Sequence, residues 1–402
     1  MARLKANPVD PAPFAIPDLR PGNPAEHLRI PVYTPPDLPD ETQVLHDEGQ
    51  FLARQDRWGD LAQRIRQTDQ RRMKTADFVP LADLLLAGAR RDVVAAAEHA
   101  LADGVPESDG PLRSGMALLE GVHDEYPGDY AIALTVALAH IDIGWAWRGP
   151  DAPRDLPAPH LAAFRAHFDR ASAILDNFCS LELNSPAVAA ARCALLDGAR
   201  DPHLRVADDY EDLIDLDPTD QRHMRALGRH LLPHRFGSYD ALELEARRTA
   251  ARTQDIWGDA AYTWVYFDAI THDPEACARV DADFFADGLR DILRRRPDQA
   301  NVNMLAAYCA VALGTAQDLG SARARISACS EWIIRNHLRE LHPLIWAHAA
   351  QGFDTIPRAR SLHRIADHGR DEALRVLAHL FADEIAQGHD VIFTADGLRI
   401  HA

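Results

Sequence analysis

The chain has 402 residues, room for two or three domains or for one extended array whose units bury their faces on one another. Hydrophobic residues at 47% and charged residues at 26% exclude a disordered or fibrous chain. The formal net charge of −18 argues against a nucleic-acid binder, because neutralising phosphates needs a basic face.

Five cysteines (Cys179, Cys193, Cys277, Cys309, Cys329) are scattered, odd in number and without a CxxC pair, and read as small buried hydrophobes in a reducing compartment. Lysine occurs only at Lys5 and Lys74, so 41 of the 43 basic residues are arginine, a bias attributed first to base composition. The first residues, MARLKANPVDP, lack the apolar core of a leader, and no stretch approaches 18 uninterrupted apolar residues. The expectation is a cytoplasmic protein with no membrane partner.

Residues 1–40 hold ten of the 26 prolines, which forbids regular helix and favours an extended arm. It reads as a disordered or surface-draped tail, or, through its Phe14, Ile16, Leu19, Leu28, Ile30, Val32 and Tyr33, as an arm that packs on the array or on a partner. From Asp40 the pattern is helical. Asp40-Glu41 is expected to cap a helix carrying Val44, Leu45, Phe51 and Leu52, and further segments are expected near 58–70, 77–87, 90–102 and 112–126, separated by turn signals such as Asp103-Gly104. After Asp129, Ala131, Leu134, Leu138 and Ile141 form one apolar stripe and Ile132, Val136, Ala139 and Ile143 a second. Two stripes mean a helix sandwiched between layers.

Helices resume near 160–179, 186–198 and 202–216. Asp217 then looks like an N-cap with Pro218 at the first helical position. Three helices follow to Ile270, the last carrying Tyr262, Trp264, Tyr266 and Phe267 around its whole circumference. A segment over 275–296 breaks at Pro297, and helical segments continue over 301–313, 320–336, 339–350, 357–367 and 370–387. VIFTADGLRI at the end predicts a β-hairpin about Asp396-Gly397. The fold class is all-α, an irregular α-solenoid of stacked helical hairpins. An extended arm (1–40) precedes the array (41–388), and a hairpin (389–402) closes it.

GWAWRG followed by SPAVAAARCALL, HLLPHRFGSYDALELEARRTA followed by YTWVYF, and DGLRDILRRRPDQANVNMLAAYCAV occur in an order that resembles an uncharacterised bacterial family of tetratricopeptide-like helical-repeat proteins. The likeness covers about residues 110–350. It implies a helical-repeat fold and no particular activity.

Few residues carry chemistry. His223, His230 and His234 with Asp220 come nearest to metal-ligand spacing, although Pro233 breaks the face that would present the last two together. Arg222, Arg225 and Arg229 form a stripe beside an acidic helix at 208–217. They either pair with it or line an anion- or peptide-binding groove. Trp147 and Arg148 close the GWAWRG helix as a recognition surface would. Asn301 and Asn303 open a helix where an amide can cap backbone or hold a peptide. Trp147, Arg148, Arg225, Arg229, Asn301 and Asn303 are therefore the candidate binding residues. Arg148, Arg225, Arg229 and Asn303 are further expected to be side chains that the fold can spare.

No P-loop, GxSxG, HExxH or strand-placed GxGxxG is present, so neither a cofactor nor a metal is expected. The leading expectation is a non-enzymatic scaffold for a protein or peptide partner, a basic one by charge complementarity. The alternatives are a metal-dependent hydrolase with a His/Asp site between helices, and an immunity- or chaperone-like blocker of one cognate protein.

Overall fold

The computed structural model describes residues 27–34, 40–76, 78–103, 110–149, 156–314, 318, 320–351 and 362–402. They are mostly helical, with one small three-stranded sheet. The described chain divides into two units, residues 40–296 with 318–326, and residues 27–34, 297–314 and 327–402.

The larger unit is built from α1 (Glu41–Arg54), α2 (Trp58–Gln70), α3 (Leu81–Ala102), α4 (Gly110–Glu125), α5 (Tyr130–Arg148) and α6 (Ala158–Leu175). It continues through α7 (Pro186–Ala194), α8 (Val206–Leu216), α9 (Gln221–His230), α10 (Tyr239–Arg252), α11 (Ala260–His272) and α12 (Ala282–Arg295). Two helices organise it. Every residue of α5 from Tyr130 to Ala137 is buried, because α5 touches α2, α3, α4, α6 and α7. Its length and apolarity would also suit a membrane span, but 78% of that window is buried inside the fold. The second is α11, in which Ala260 to Ile270 are all buried against α9, α10 and α12. The all-round apolar patterns of these two helices predicted that burial.

Caps set the boundaries. Asp40, Asp129, Ser185, Ser238 and Asp281 each accept a backbone N–H from the first turn of the helix they precede. Asp281 also splits the segment expected over 275–296 into Pro274–Arg279 and α12. The Asp217 cap is corrected. Asp217 ends α8, and Asp220 caps α9 through the Arg222 N–H at 3.0 Å.

The smaller unit holds α13 (Gln299–Ala307), α14 (Cys329–His337), α15 (Pro343–Gln351) and α16 (Leu362–Leu380). Its sheet has the order β1 (Leu28–Arg29), β2 (Asp390–Thr394), β3 (Gly397–His401). The terminal hairpin forms as expected, with Thr394 opposite Gly397, so Ala395-Asp396 makes the turn one residue earlier than anticipated. Within the described part of the arm, β1 runs parallel to β2, with Leu28 opposite Val391. The Tyr33 N–H donates to the Leu341 carbonyl and the Leu341 N–H to that of Pro31, both at 2.8 Å, while the Tyr33 ring stacks on His342. Residues 28–34 are thus extended and docked on this unit. The rest of the expected arm, 1–26 and 35–39, lies outside the described residues, as do residues 357–361 of the segment expected over 357–367.

Helices α1 and α3 cross with backbones almost touching. A Cβ on Gly88 would lie 1.9 Å from the His46 carbonyl oxygen, and one on Gly49 2.2 Å from that of Leu85. Gly88→Ala must push the two helices apart and should cost about 1–3 kcal/mol or more in chemical denaturation. Gly121→Ala in α4, where a Cβ meets nothing within 4 Å, should instead stabilise by roughly 0.5–1 kcal/mol.

Candidate functional site

The strongest concentration of buried polar chemistry lies at the connection between α2 and α3. Asp69, 4% exposed, accepts the Tyr130 hydroxyl at 3.1 Å, the Ala187 N–H at 3.0 Å and the Ser185 hydroxyl. Arg72, in the left-handed region at φ 49°, donates to the Leu216 carbonyl at 2.9 Å and to Asn184. Lys74 follows, its ammonium 2.7 Å from Asp217 Oδ2 and 3.3 Å from Asp220 Oδ2. Those carboxylates are 5% and 2% exposed. Asp220 also takes Arg222 Nη2 at 2.7 Å, and His223 Nε2 stands 3.9 Å from both acids.

Electrostatics here follow from burial and pairing. Burial alone would raise Asp220, but the Arg222 hydrogen bonds and the surrounding positive charge outweigh it and hold the carboxyl well below the usual range. Burial drives His223 downward. Asp83 lies at the rim of the same depression. Its side chain reaches water, yet enough protein surrounds it that desolvation moves it up to about 6 against the opposing pull of Arg222. The depression narrows to a cavity of about 30 Å³ lined by Asp69, Lys74, Asp83, Ala187, Asp217 and His223, room for about one water.

Asp217, Asp220 and His223 present one ligand atom each within 4.8 Å of one another, the kind of set that could hold a divalent cation. The Lys74 ammonium already lies against both carboxylates, so the chain supplies the positive charge itself. This trio differs from the histidine set suggested by spacing. His230 bonds the Tyr210 hydroxyl at 2.9 Å, and His234 sits 3.9 Å from Asp273.

The six candidate binding residues are not brought together. Trp147, 8% exposed, belongs to the core and meets the His160 ring edge-on. Arg148 keeps partial exposure, its guanidinium 5.2 Å from the Trp145 ring and 5.5 Å from that of Phe164. Arg225 grips Asp268 of α11 with two hydrogen bonds, of 3.1 and 2.6 Å, and lies over Phe267. Arg229 approaches the same carboxylate at 3.8 Å.

The arginine stripe therefore pairs with α11 and with its own cap Asp220. The acidic helix α8 is served instead by Arg205 and Arg252.

Asn301 and Asn303 lie in the smaller unit. Asn301 donates to Asp298 at the start of α13. Asn303 is fully buried: its amide donates to the Gln299 and Glu340 carbonyls and accepts from the His342 N–H and Trp346 Nε1. The expectation that the fold could spare Arg225 and Asn303 is corrected, since both side chains are used inside it. Of the cysteines, Cys179 is exposed and the other four are buried.

Sequence reasoning missed Asp69, Ser185 and Lys74. Lys74 did carry a signal, as one of two lysines in an arginine-rich chain. Asp69 and Ser185, 116 positions apart, carried none. No family model, curated protein or solved structure matches the chain.

Lys74→Met should leave the buried Asp217 without its ammonium, while Asp220 keeps Arg222, and cost about 3–5 kcal/mol in urea unfolding; Asp217→Asn in the same chain should restore part of the loss. A second expectation concerns acid. Burial holds His167 and His230 at about 4, whereas unfolded imidazoles titrate near 6.5. Between those values the unfolded chain binds more protons, so these groups remove stability as pH falls from about 6.5 to about 4. Asp83, raised to about 6, opposes them by taking up its proton first in the folded state. A His167→Asn/His230→Gln variant should lose less of its urea midpoint between pH 7 and pH 5 than the parent does.

Proposed function

We propose that the chain is a non-enzymatic interaction scaffold, an irregular tetratricopeptide-like α-solenoid that captures a segment of a protein partner. Arg148 carries this reading. Its guanidinium is held over two aromatic rings at the end of α5, and among the described residues no carboxylate or carbonyl takes its donors. An arginine preorganised on aromatics with uncommitted donors is the composition of a binding hot spot. The packing of helices on others one or two places along the chain, α1 on α3 and α9 on α11 among them, supports the same reading. A net charge of −18 favours a partner with basic surface, while Arg148 would take a carbonyl or carboxylate of the captured segment.

A hydrolase reading has one observation in its favour, the convergence of Asp217, Asp220 and His223. Affinity capture from the host lysate, quantified for the parent, Arg148→Ala and Arg225→Ala, separates the readings. Arg148→Ala should leave the melting temperature near that of the parent and weaken capture about thirtyfold, the scale of 2 kcal/mol. Arg225→Ala should lower the melting temperature. Equal capture by the parent and Arg148→Ala would remove Arg148 from the site. A melting shift with Zn²⁺ or Mn²⁺ that is lost in Asp220→Asn would favour the hydrolase. A single protein held at one-to-one stoichiometry would narrow the scaffold to a dedicated blocker.

A further inference from the structure

The smaller unit contains a groove that the reading above does not use. It encloses about 630 Å³, within the range of small-molecule sites. The buried side chains of Leu28, Leu341 and Phe393 form its floor. Ile30 and Val32 of the docked arm make one wall, and Leu374 and Ala378 of α16 the other.

Two arginines, Arg29 and Arg370, are among the residues that line it. Arg370, one turn before Leu374 on α16, is exposed and has neither a hydrogen bond nor an ion pair among the described residues. Arg29 on the arm side is 67% exposed, and its one ion-pair contact is with Asp390 at 4.0 Å, the outer limit of a salt bridge. Both guanidiniums stand beside an apolar trough in a chain of net charge −18. A carboxylate can bind a guanidinium through two parallel hydrogen bonds, and an apolar tail gains by leaving water for the trough.

We propose that this groove binds a long-chain carboxylate, with the tail along Leu28, Leu374, Ala378 and Phe393 and the head between Arg29 and Arg370. Every group it needs lies within one unit of the fold, so the site does not depend on the scaffold reading.

The test is calorimetric titration of the full chain with dodecanoate, with dodecanol and dodecyltrimethylammonium as head-group controls. Dodecanoate should bind one-to-one below its micelle concentration, dodecanol at least tenfold more weakly and the cationic analogue not at all. Arg29→Ala/Arg370→Ala changes two exposed side chains, so the variant should fold. It should lose about tenfold for dodecanoate and nothing for dodecanol, the scale of one charge-assisted hydrogen bond. Ala378→Trp should abolish both by filling the trough while the circular dichroism spectrum stays that of the parent.

Failure of the folded full chain to bind dodecanoate overturns the proposal, whether the groove is covered by the chain itself or by another protein. Equal affinity for acid and alcohol overturns the assignment of the head group. Undiminished binding in a folded Ala378→Trp variant places the ligand elsewhere and overturns the site.

Discussion

The connection between α2 and α3 is where the larger unit is fixed in register. Within six residues Asp69, Arg72 and Lys74 reach Tyr130 at the start of α5, Ser185 and Ala187 at the start of α7, and the turn from α8 to α9. Taking two carboxylates and an ammonium out of water costs several kcal/mol per ion, so the cluster contributes less raw stability than apolar residues of the same volume could. Its effect is on alternatives. Helices packed through alanine and leucine can slide by a turn at modest expense, but a slide here would leave three charges buried and unpaired. The polar staple decides which turn meets which, and the apolar helices supply the driving force.

The sequence made the all-round apolar helices α5 and α11 legible because each is surrounded by others. Two helix breaks were misread for one physical reason. The pattern suggested interruptions near Gly88 and Gly369, yet α3 and α16 run straight through both. At these glycines another chain segment presses on the helix backbone. A Cβ on Gly369 would meet the Pro343 carbonyl oxygen at 1.9 Å, much as one on Gly88 would meet His46. In a single sequence a glycine that admits a neighbour looks the same as one that ends a helix. The polar cluster was harder still to see, because Asp69 and Ser185 satisfy each other across 116 positions. Neither has a local pattern that announces its partner.

The preference for arginine also has structural use beyond base composition. Arg192 donates to the Leu175 and Phe178 carbonyls near the end of α6, Arg72 to Leu216 at the end of α8, and Arg296 to Thr219 just beyond it. Helix C-termini expose carbonyls that have lost their partners, and they carry the negative end of the helix dipole. A guanidinium on a neighbouring helix can satisfy two such acceptors at once, as Arg192 does. An ammonium offers no planar fork for this. Lys74 appears where the acceptors are two point-like carboxylates facing one position.

The sheet of the smaller unit joins Leu28 to Val391, residues from near opposite ends of the chain. On a ribosome β1 is made long before β2, since His27 and Asp390, which flank the pairing, lie 363 positions apart, and that stretch must be made before β1 can pair. The larger unit is all but complete by Arg296 and can pack while synthesis continues. Closing a loop of this length carries an entropy cost that grows only logarithmically, so the delay is one of timing more than of thermodynamics. Until then Leu28 and its apolar neighbours in the arm have no strand to rest on, and this stretch of the nascent chain is open to chaperones.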